Sequence, residues 1–187
     1  MKNDNDFESK TSTKTPISTR MIAHMAMFIA LEVVMSRVLG ITTPITRISF
    51  GFIPFALCAS MYGVVPAAIV GVSADLIGAN LFPVGPYFPP LAITIVLNAI
   101  NYGLLLNYKS NPGFVRTTLA AALSNFVMSL CVQTLWLTML YGNRTYTSVL
   151  IARIPQSLVI FGVQVLVFPI IVKLAERLSR IGAVNAA

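Results

Sequence analysis

The sequence predicts an all-α membrane protein: a bundle of six transmembrane helices with both termini cytoplasmic. Three observations predict it. Hydrophobic residues make up 56% of the 187-residue chain and charged residues 10%, against about 25% charged in an ordinary soluble domain. So few charges cannot cover a surface facing water. From Ile48 to Tyr108 the sole charged residue is Asp75, and that stretch is long enough for several crossings of a hydrocarbon core about 30 Å thick. Finally, the basic residues collect at the ends of apolar segments, where they hold cytoplasmic ends inside.

Residues 1–20 are polar, rich in Thr, Ser, Lys and Asp, and lack the apolar core of a signal peptide; they are expected to form a flexible cytoplasmic tail. Residues 21–180 then form the transmembrane domain. Its first span, Met21 to Val38, is interrupted only by His24, Glu32 and Arg37. Gly40 and Pro44 open a loop that ends near Arg47. Tyr62-Gly63 with Pro66 marks a tight turn, and Pro83, Pro86, Pro89 and Pro90 forbid a continuous helix. Three spans result, at 48–62, 65–81 and 90–107; the first is short enough that a re-entrant segment competes with a crossing. A loop from Lys109 to Gly113 leads into 114–140, and Tyr141 to Thr147 leads into 148–177.

With both termini inside, Lys2, Lys10, Lys14, Arg20, Lys109, Arg116, Lys173, Arg177 and Arg180 are cytoplasmic, and Arg37, Arg47, Arg144 and Arg153 lie at outer ends. The asymmetry supports this orientation, although it leaves the four outer arginines unexplained. The net charge of +7 belongs to this pattern: no dense basic cluster, zinc-finger spacing or RNA-binding aromatic box points to nucleic acid.

Enzyme chemistry finds little support. The chain has no GxxxxGK[ST] run, so no P-loop. A lone His24 cannot build a His-rich metal site or a Ser-His-Asp triad. Cys58 and Cys131 stand singly in apolar runs, as membrane-packed thiols do. No metal or cofactor is expected.

Ligand chemistry is better represented. Asp75 lies roughly 10 Å below the proline-rich loop at the helical rise, where a carboxylate is costly unless it meets donors; it either pairs with an arginine or recognises a polar ligand. Arg37, Arg47 and Arg153 each suit a snorkelling interface residue, but together, on the side of Asp75, they suit an anion pocket. Arg144 reads as solvated. Asn98 lies about 12 Å below Pro90, at a similar depth. Phe50, Tyr87, Phe88 and Trp136 gather at the same ends, as an interfacial belt or as stacking faces for an aromatic ligand. Ala23, Ala26 and Ala30 line one helix at close-approach spacing, echoed by Ala67/Gly71 and Ala74/Gly78. The default for such stripes is packing within the bundle.

The Ala26-xxx-Ala30 pattern, the run Arg47-Ile48-Ser49-Phe50-Gly51-Phe52-Ile53-Pro54, Ala74-Asp75-Leu76-Ile77-Gly78 and Phe82-Pro83-Val84-Gly85-Pro86-Tyr87-Phe88-Pro89 together resemble the substrate-binding S component of an energy-coupling factor (ECF) vitamin transporter. They are most similar to the folate-specific branch, a likeness to which Trp136-Leu137, Tyr141-Gly142 and Arg153 add. The resemblance spans about residues 20–178. It implies a membrane subunit in contact with lipid that captures folate from outside, with Arg37, Arg47, Phe50, Asp75, Tyr87, Phe88, Asn98, Trp136 and Arg153 as substrate-binding candidates. It also implies docking of Ala23, Ala26 and Ala30 on a transmembrane T component, with two ATPases supplying the energy. The alternatives are another vitamin such as thiamin or pantothenate, a membrane enzyme acting on an anionic lipid, and a purely structural subunit.

Overall fold

The computed structural model describes residues 19–42, 47–82, 88–107, 109, 112–141 and 145–180. Six helical rods run through them. The first is α1 (Thr19–Val33), extended by a π-helical turn over Val34–Val38. Then come α2 (Phe52–Tyr62), α3 (Val64–Leu81) and α4 (Pro90–Leu105). The fifth rod is continuous: α5 (Phe114–Ala122), a π-helical stretch over Leu123–Val132, and α6 (Gln133–Tyr141). The last is α7 (Tyr146–Arg180), uninterrupted by Pro155 and Pro169. Four rods, Thr19–Val38, Val64–Leu81, Phe114–Leu140 and Tyr146–Arg180, are long and apolar enough to cross a membrane.

The second span differs from the expected element. The second span begins at Phe52 rather than at residue 48, because Arg47–Ile48 pairs antiparallel with Ile41–Thr42 in a two-residue ribbon, Ile41 opposite Ile48 and Thr42 opposite Arg47. With 11 residues, α2 rises about 16 Å, roughly half the hydrocarbon thickness. The residues of the expected tail up to position 18 lie outside the described ones.

Local chemistry sets the boundaries. Gly63, with φ 85°, takes a backbone conformation that only glycine enters at little cost, so α2 ends and α3 begins within one residue. Pro54 and Pro66 stand in first turns and Pro90 at the start of α4, positions where the missing N–H has no intrahelical partner to lose.

Packing is inverted relative to a soluble domain. Val115 is 81% exposed and Leu166 72%, while Asn125, Gln164, Thr134 and Arg153 are all at most 5% exposed. Apolar outside and hydrogen-bonded polar inside is the arrangement a bilayer favours. The interior pairs are short: Asn125 Nδ2 donates to Gln164 Oε1 at 2.6 Å, Ser60 Oγ to the Leu106 carbonyl at 2.6 Å, and Tyr102 and Ser124 share a hydroxyl bond of 2.5 Å. Fully buried Ala56, Ala59, Ala67, Ala99, Ala120 and Ala121 let the rods approach closely around Tyr102 and Phe168. Gly103 sets one such approach, since a Cβ there would lie 2.8 Å from the backbone nitrogen of Val64.

The alternation of rods sorts the connections to two ends. Tyr62 bonds His24 at 2.6 Å, and Arg116 Nη2 donates to the Leu104 carbonyl at 2.5 Å. These contacts place the N-terminus of α1, the α2–α3 turn and the α4–α5 connection at one end, here the lower. The α1–α2, α3–α4 and α6–α7 connections lie at the upper end. Exposed Lys173, Arg177 and Arg180 on α7 fall at the lower end.

Candidate ligand site

The upper end holds the residues with unusual chemistry. Asp75 is six residues before the end of α3, about 9 Å below it. Its Oδ1 lies 3.4 Å from Arg37 Nη2, with the two side chains 27% and 14% exposed. The guanidinium is thus inside the bundle, not snorkelling to an interface as an isolated outer arginine would. Two features put it there. Arg37 belongs to the π-helical turn, whose wider winding re-aims side chains relative to an α-helix and recurs at functional sites. Opposite it stands Gly78, where a Cβ would meet Arg37 Nε at 2.6 Å. The Ala74/Gly78 spacing therefore makes room for a guanidinium.

A second wall forms where α4, α6 and α7 meet. Arg153 is 5% exposed. Its Nη1 donates to Thr134 Oγ1 at 3.1 Å, and its Nη2 to Gln133 Oε1 at 3.0 Å and Ser129 Oγ at 3.3 Å. Ser129 is supplied by the second π-helical stretch. All these partners are neutral. Among the described residues the ion pairs are Arg37–Asp75 and Arg180–Glu176, so Arg153 is a buried cation without an anionic partner. Trp136, three residues from Gln133, faces Phe88 with ring centroids 6.5 Å apart. Its Nε1 is buried without a hydrogen-bond acceptor, whereas a tryptophan of an interfacial belt would place that N–H in water.

Asn98 donates from Nδ2 to the Thr94 carbonyl at 3.1 Å, while its Oδ1 and Thr94 Oγ1 are buried and unsatisfied. Buried polar atoms are almost always paired; those left without a partner include Asn98 Oδ1, Thr94 Oγ1 and Trp136 Nε1 toward the upper end and Asn101 Oδ1 deeper on α4. Phe50 is half-buried just before α2. Arg47 stands on the ribbon opposite Thr42. Tyr87 and Arg144 lie outside the described residues.

One residue at this end was not among the expected site residues. Glu32, on α1, is an acid within a span, and a single charge in an apolar window reads from sequence as an interruption. Its Oε2 is buried without a partner, and it lies within electrostatic reach of Asp75. The usable signal was that Glu32 and Asp75 fall in apolar spans at the same end, whereas Glu176 stands among the basic residues at the end of α7. No group of three or more metal-ligating side chains is found among the described residues.

Ala23, Ala26 and Ala30 take no part in the bundle interior. All three are exposed on α1, whose opposite face buries Phe28 and Val33. The stripe on α1 therefore lies on the outer face of the bundle.

The geometry of Gly78 makes a sharp test of the Arg37 wall. In Gly78→Ala the methyl would displace the mobile tip of an arginine rather than backbone, so the protein should fold and melt within a few degrees of wild type. The Arg37–Asp75 pair should be lost, and ligand affinity should fall about tenfold or more, since a lost charge-assisted bond is worth about 1.5–3 kcal/mol. Thermal unfolding in detergent beside ligand titration reads both.

Known proteins carry the same architecture. Residues 20–172 match the family model described as ECF transporter, substrate-specific component. The chain is 33% identical over 159 residues to the folate transporter FolT of Clostridium novyi (strain NT), spanning 85% of this chain and 91% of that protein. It is 26% identical over 153 residues to the folate transporter FolT of Leuconostoc mesenteroides subsp. mesenteroides, spanning 80% and 82%. A crystal structure of FolT bound with folic acid superposes with a TM-score of 0.77 at 31% identity, over 84% of this chain and 98% of that one.

Proposed function

The chain belongs to the substrate-specific components of ECF transporters, and on that footing we propose how its residues divide the work of folate capture. It is a folate-binding subunit of a multi-pass membrane transporter, and its family carries out transport rather than an enzymatic reaction. Folate combines a flat pterin ring with amide-like donors and acceptors, a benzoyl ring, and a glutamate tail with two carboxylates. The observation that carries the division is the buried, uncompensated Arg153 beside an unsatisfied Trp136. A guanidinium out of water needs an anion, and its planar fork matches a carboxylate. Arg153 therefore takes a tail carboxylate, Trp136 and Phe88 stack on a ring, and Asn98 bonds a polar edge. Arg37 is neutralised by Asp75 and shapes the opposite wall. Phe50, half-buried just before α2, covers the site from above, and Arg47 and Tyr87 are further candidates for ligand contact.

The upper end faces outward and both termini face the cytoplasm. Support comes from Arg20, Lys109, Arg116, Lys173, Arg177 and Arg180 at the lower end, the distribution that keeps an end inside. The residence is the bacterial plasma membrane, in agreement with the bacterial sources of the relatives. The exposed Ala23, Ala26 and Ala30 present the face on which a transmembrane T component docks, with two cytoplasmic ATPases behind it.

Single cysteines placed at Gly40, Phe82 and Thr145 should be protected by folate from a membrane-impermeant maleimide applied outside, in intact cells. Cysteines at Lys109 and Gly113 should react only after permeabilisation, with no protection. Reversed accessibility would overturn the orientation, and equal protection at both ends would overturn the location of the pocket.

A further inference from the structure

Away from the ligand site, the lower end of α7 joins an apolar surface to a basic one along a single face. With 35 residues the helix rises about 52 Å, more than the roughly 40–45 Å of a bilayer with its headgroups. Its lower turns therefore cannot lie in hydrocarbon. Lys173 stands about 40 Å along the axis from Tyr146, at the level of the lower headgroups, and Arg177 and Arg180 follow one and two turns beyond.

Spacing ties these cations to the lipid-facing surface. Leu166, Ile170, Lys173, Arg177 and Arg180 recur at i+3 and i+4 intervals, so they share one face of the helix. All five are exposed, while Ile171, Val172 and Ala175 bury the opposite face in the bundle. Lys173, Glu176, Arg177 and Arg180 line a surface cavity of about 400 Å³. Within it Arg180 Nη2 donates to Glu176 Oε1 at 2.6 Å, which neutralises one pair. Lys173 and Arg177 form no ion pair among the described residues, so the cavity keeps an excess of positive charge. Cations at a helix C-terminus also complement its dipole, and cytoplasmic ends collect them. Neither reason calls for a cavity, or for alignment with an exposed apolar row.

We propose that this cavity binds the phosphate of an anionic phospholipid from the adjoining leaflet, with the lipid chains lying along Ile170 and Leu166. Lys173 and Arg177, one turn apart, hold the phosphate oxygens, Arg177 through its planar fork and Lys173 as a point charge. Glu176 keeps Arg180 at the rim. An acidic protein segment would match the charge but leave the apolar row uncovered. A lipid answers both, being anionic at one end and apolar along its length. The site lies at the opposite end of the bundle from Arg153 and Trp136, and it stands whether or not the transported ligand is folate.

Native mass spectrometry of the full-length subunit in a neutral detergent tests this, with dioleoyl phosphatidylglycerol and dioleoyl phosphatidylcholine added at equal concentration. Wild type should retain phosphatidylglycerol about tenfold better. Lys173→Gln with Arg177→Gln should lose most of that preference. Arg20→Gln with Lys109→Gln removes the same charge from the same end and should keep it. Folate affinity of both double variants should stay within about threefold of wild type. Equal loss in the two double variants would reduce the effect to the general charge of that end and overturn the site, as would no loss in either. Excess glycerol 3-phosphate should leave the lipid bound; full displacement would make this a site for free phosphate. A Lys173/Arg177 variant that kept the lipid but no longer assembled with its transporter partners would assign the face to an acidic protein surface instead. Arg177→Gln alone should show the same loss at smaller size, and failure of both it and the double variant to fold would make these residues structural and overturn the site.

Discussion

Arg153→Leu is expected to lower folate affinity by about 30-fold to several thousand-fold, the cost of about 2–5 kcal/mol for removing one partner of a buried, hydrogen-bonded charge pair. The variant should still retain pteroate, which lacks the glutamate, nearly as well as wild type does. The expectation follows from burial without compensation. Arg153 is 5% exposed, and its three partners Thr134, Gln133 and Ser129 are neutral, so the guanidinium has donors and charge to spare. The competing account makes Arg153 a clamp that ties α7 to the α5–α6 rod through those three bonds. A clamp predicts equal losses for folate and pteroate, and a lower melting temperature with no ligand present. Arg153→Lys sharpens the contrast. An ammonium keeps the charge but not the planar fork, so folate should regain part of its affinity.

Replacing Ala26 and Ala30 together by tryptophan should abolish ATP-driven folate uptake while leaving folate affinity of the isolated subunit within about threefold of wild type. Both alanines are exposed, as are their neighbours Ile22, Met27, Leu31 and Val34. In a bilayer a tryptophan there meets lipid and disturbs no packed interior. Against a partner helix the same side chain prevents the close backbone approach that small residues permit. Uptake at the wild-type rate, with normal complex assembly, would remove this face from the docking surface. Loss of binding together with uptake would show that the stripe supports the fold.

The six rods were legible because apolar runs and their breakers carry the signal. The expected 65–81, 90–107 and 114–140 became Val64–Leu81, Pro90–Leu105 and Phe114–Tyr141. The start of α2 was missed, since Ile48 is as apolar as a helix residue and only its pairing with Ile41 takes it out of the helix. The π-helical stretches were illegible, having no composition of their own. They nonetheless decide the site: one aims Arg37, the other supplies Ser129. Most candidate residues could be named from type and depth, but not sorted. Whether an arginine snorkels, pairs or awaits an anion depends on what packs beside it, and Arg37 and Arg153 part company only there. Glu32 was passed over because a single charge in an apolar run looks like a tolerated interruption until its burial is known.

The central claim is that the chain by itself holds folate between the two walls of its upper end. Trp136 is the single tryptophan of the chain, it lies in one of those walls, and its Nε1 is unsatisfied. Its fluorescence therefore reports on the site and on nothing else. Titration of the purified subunit with folate should quench this emission saturably, with one folate per chain, and an excess of thiamin or pantothenate should not prevent it. Emission that follows only the absorbance of added folate, with no saturation and no ligand retained on gel filtration, would contradict the account.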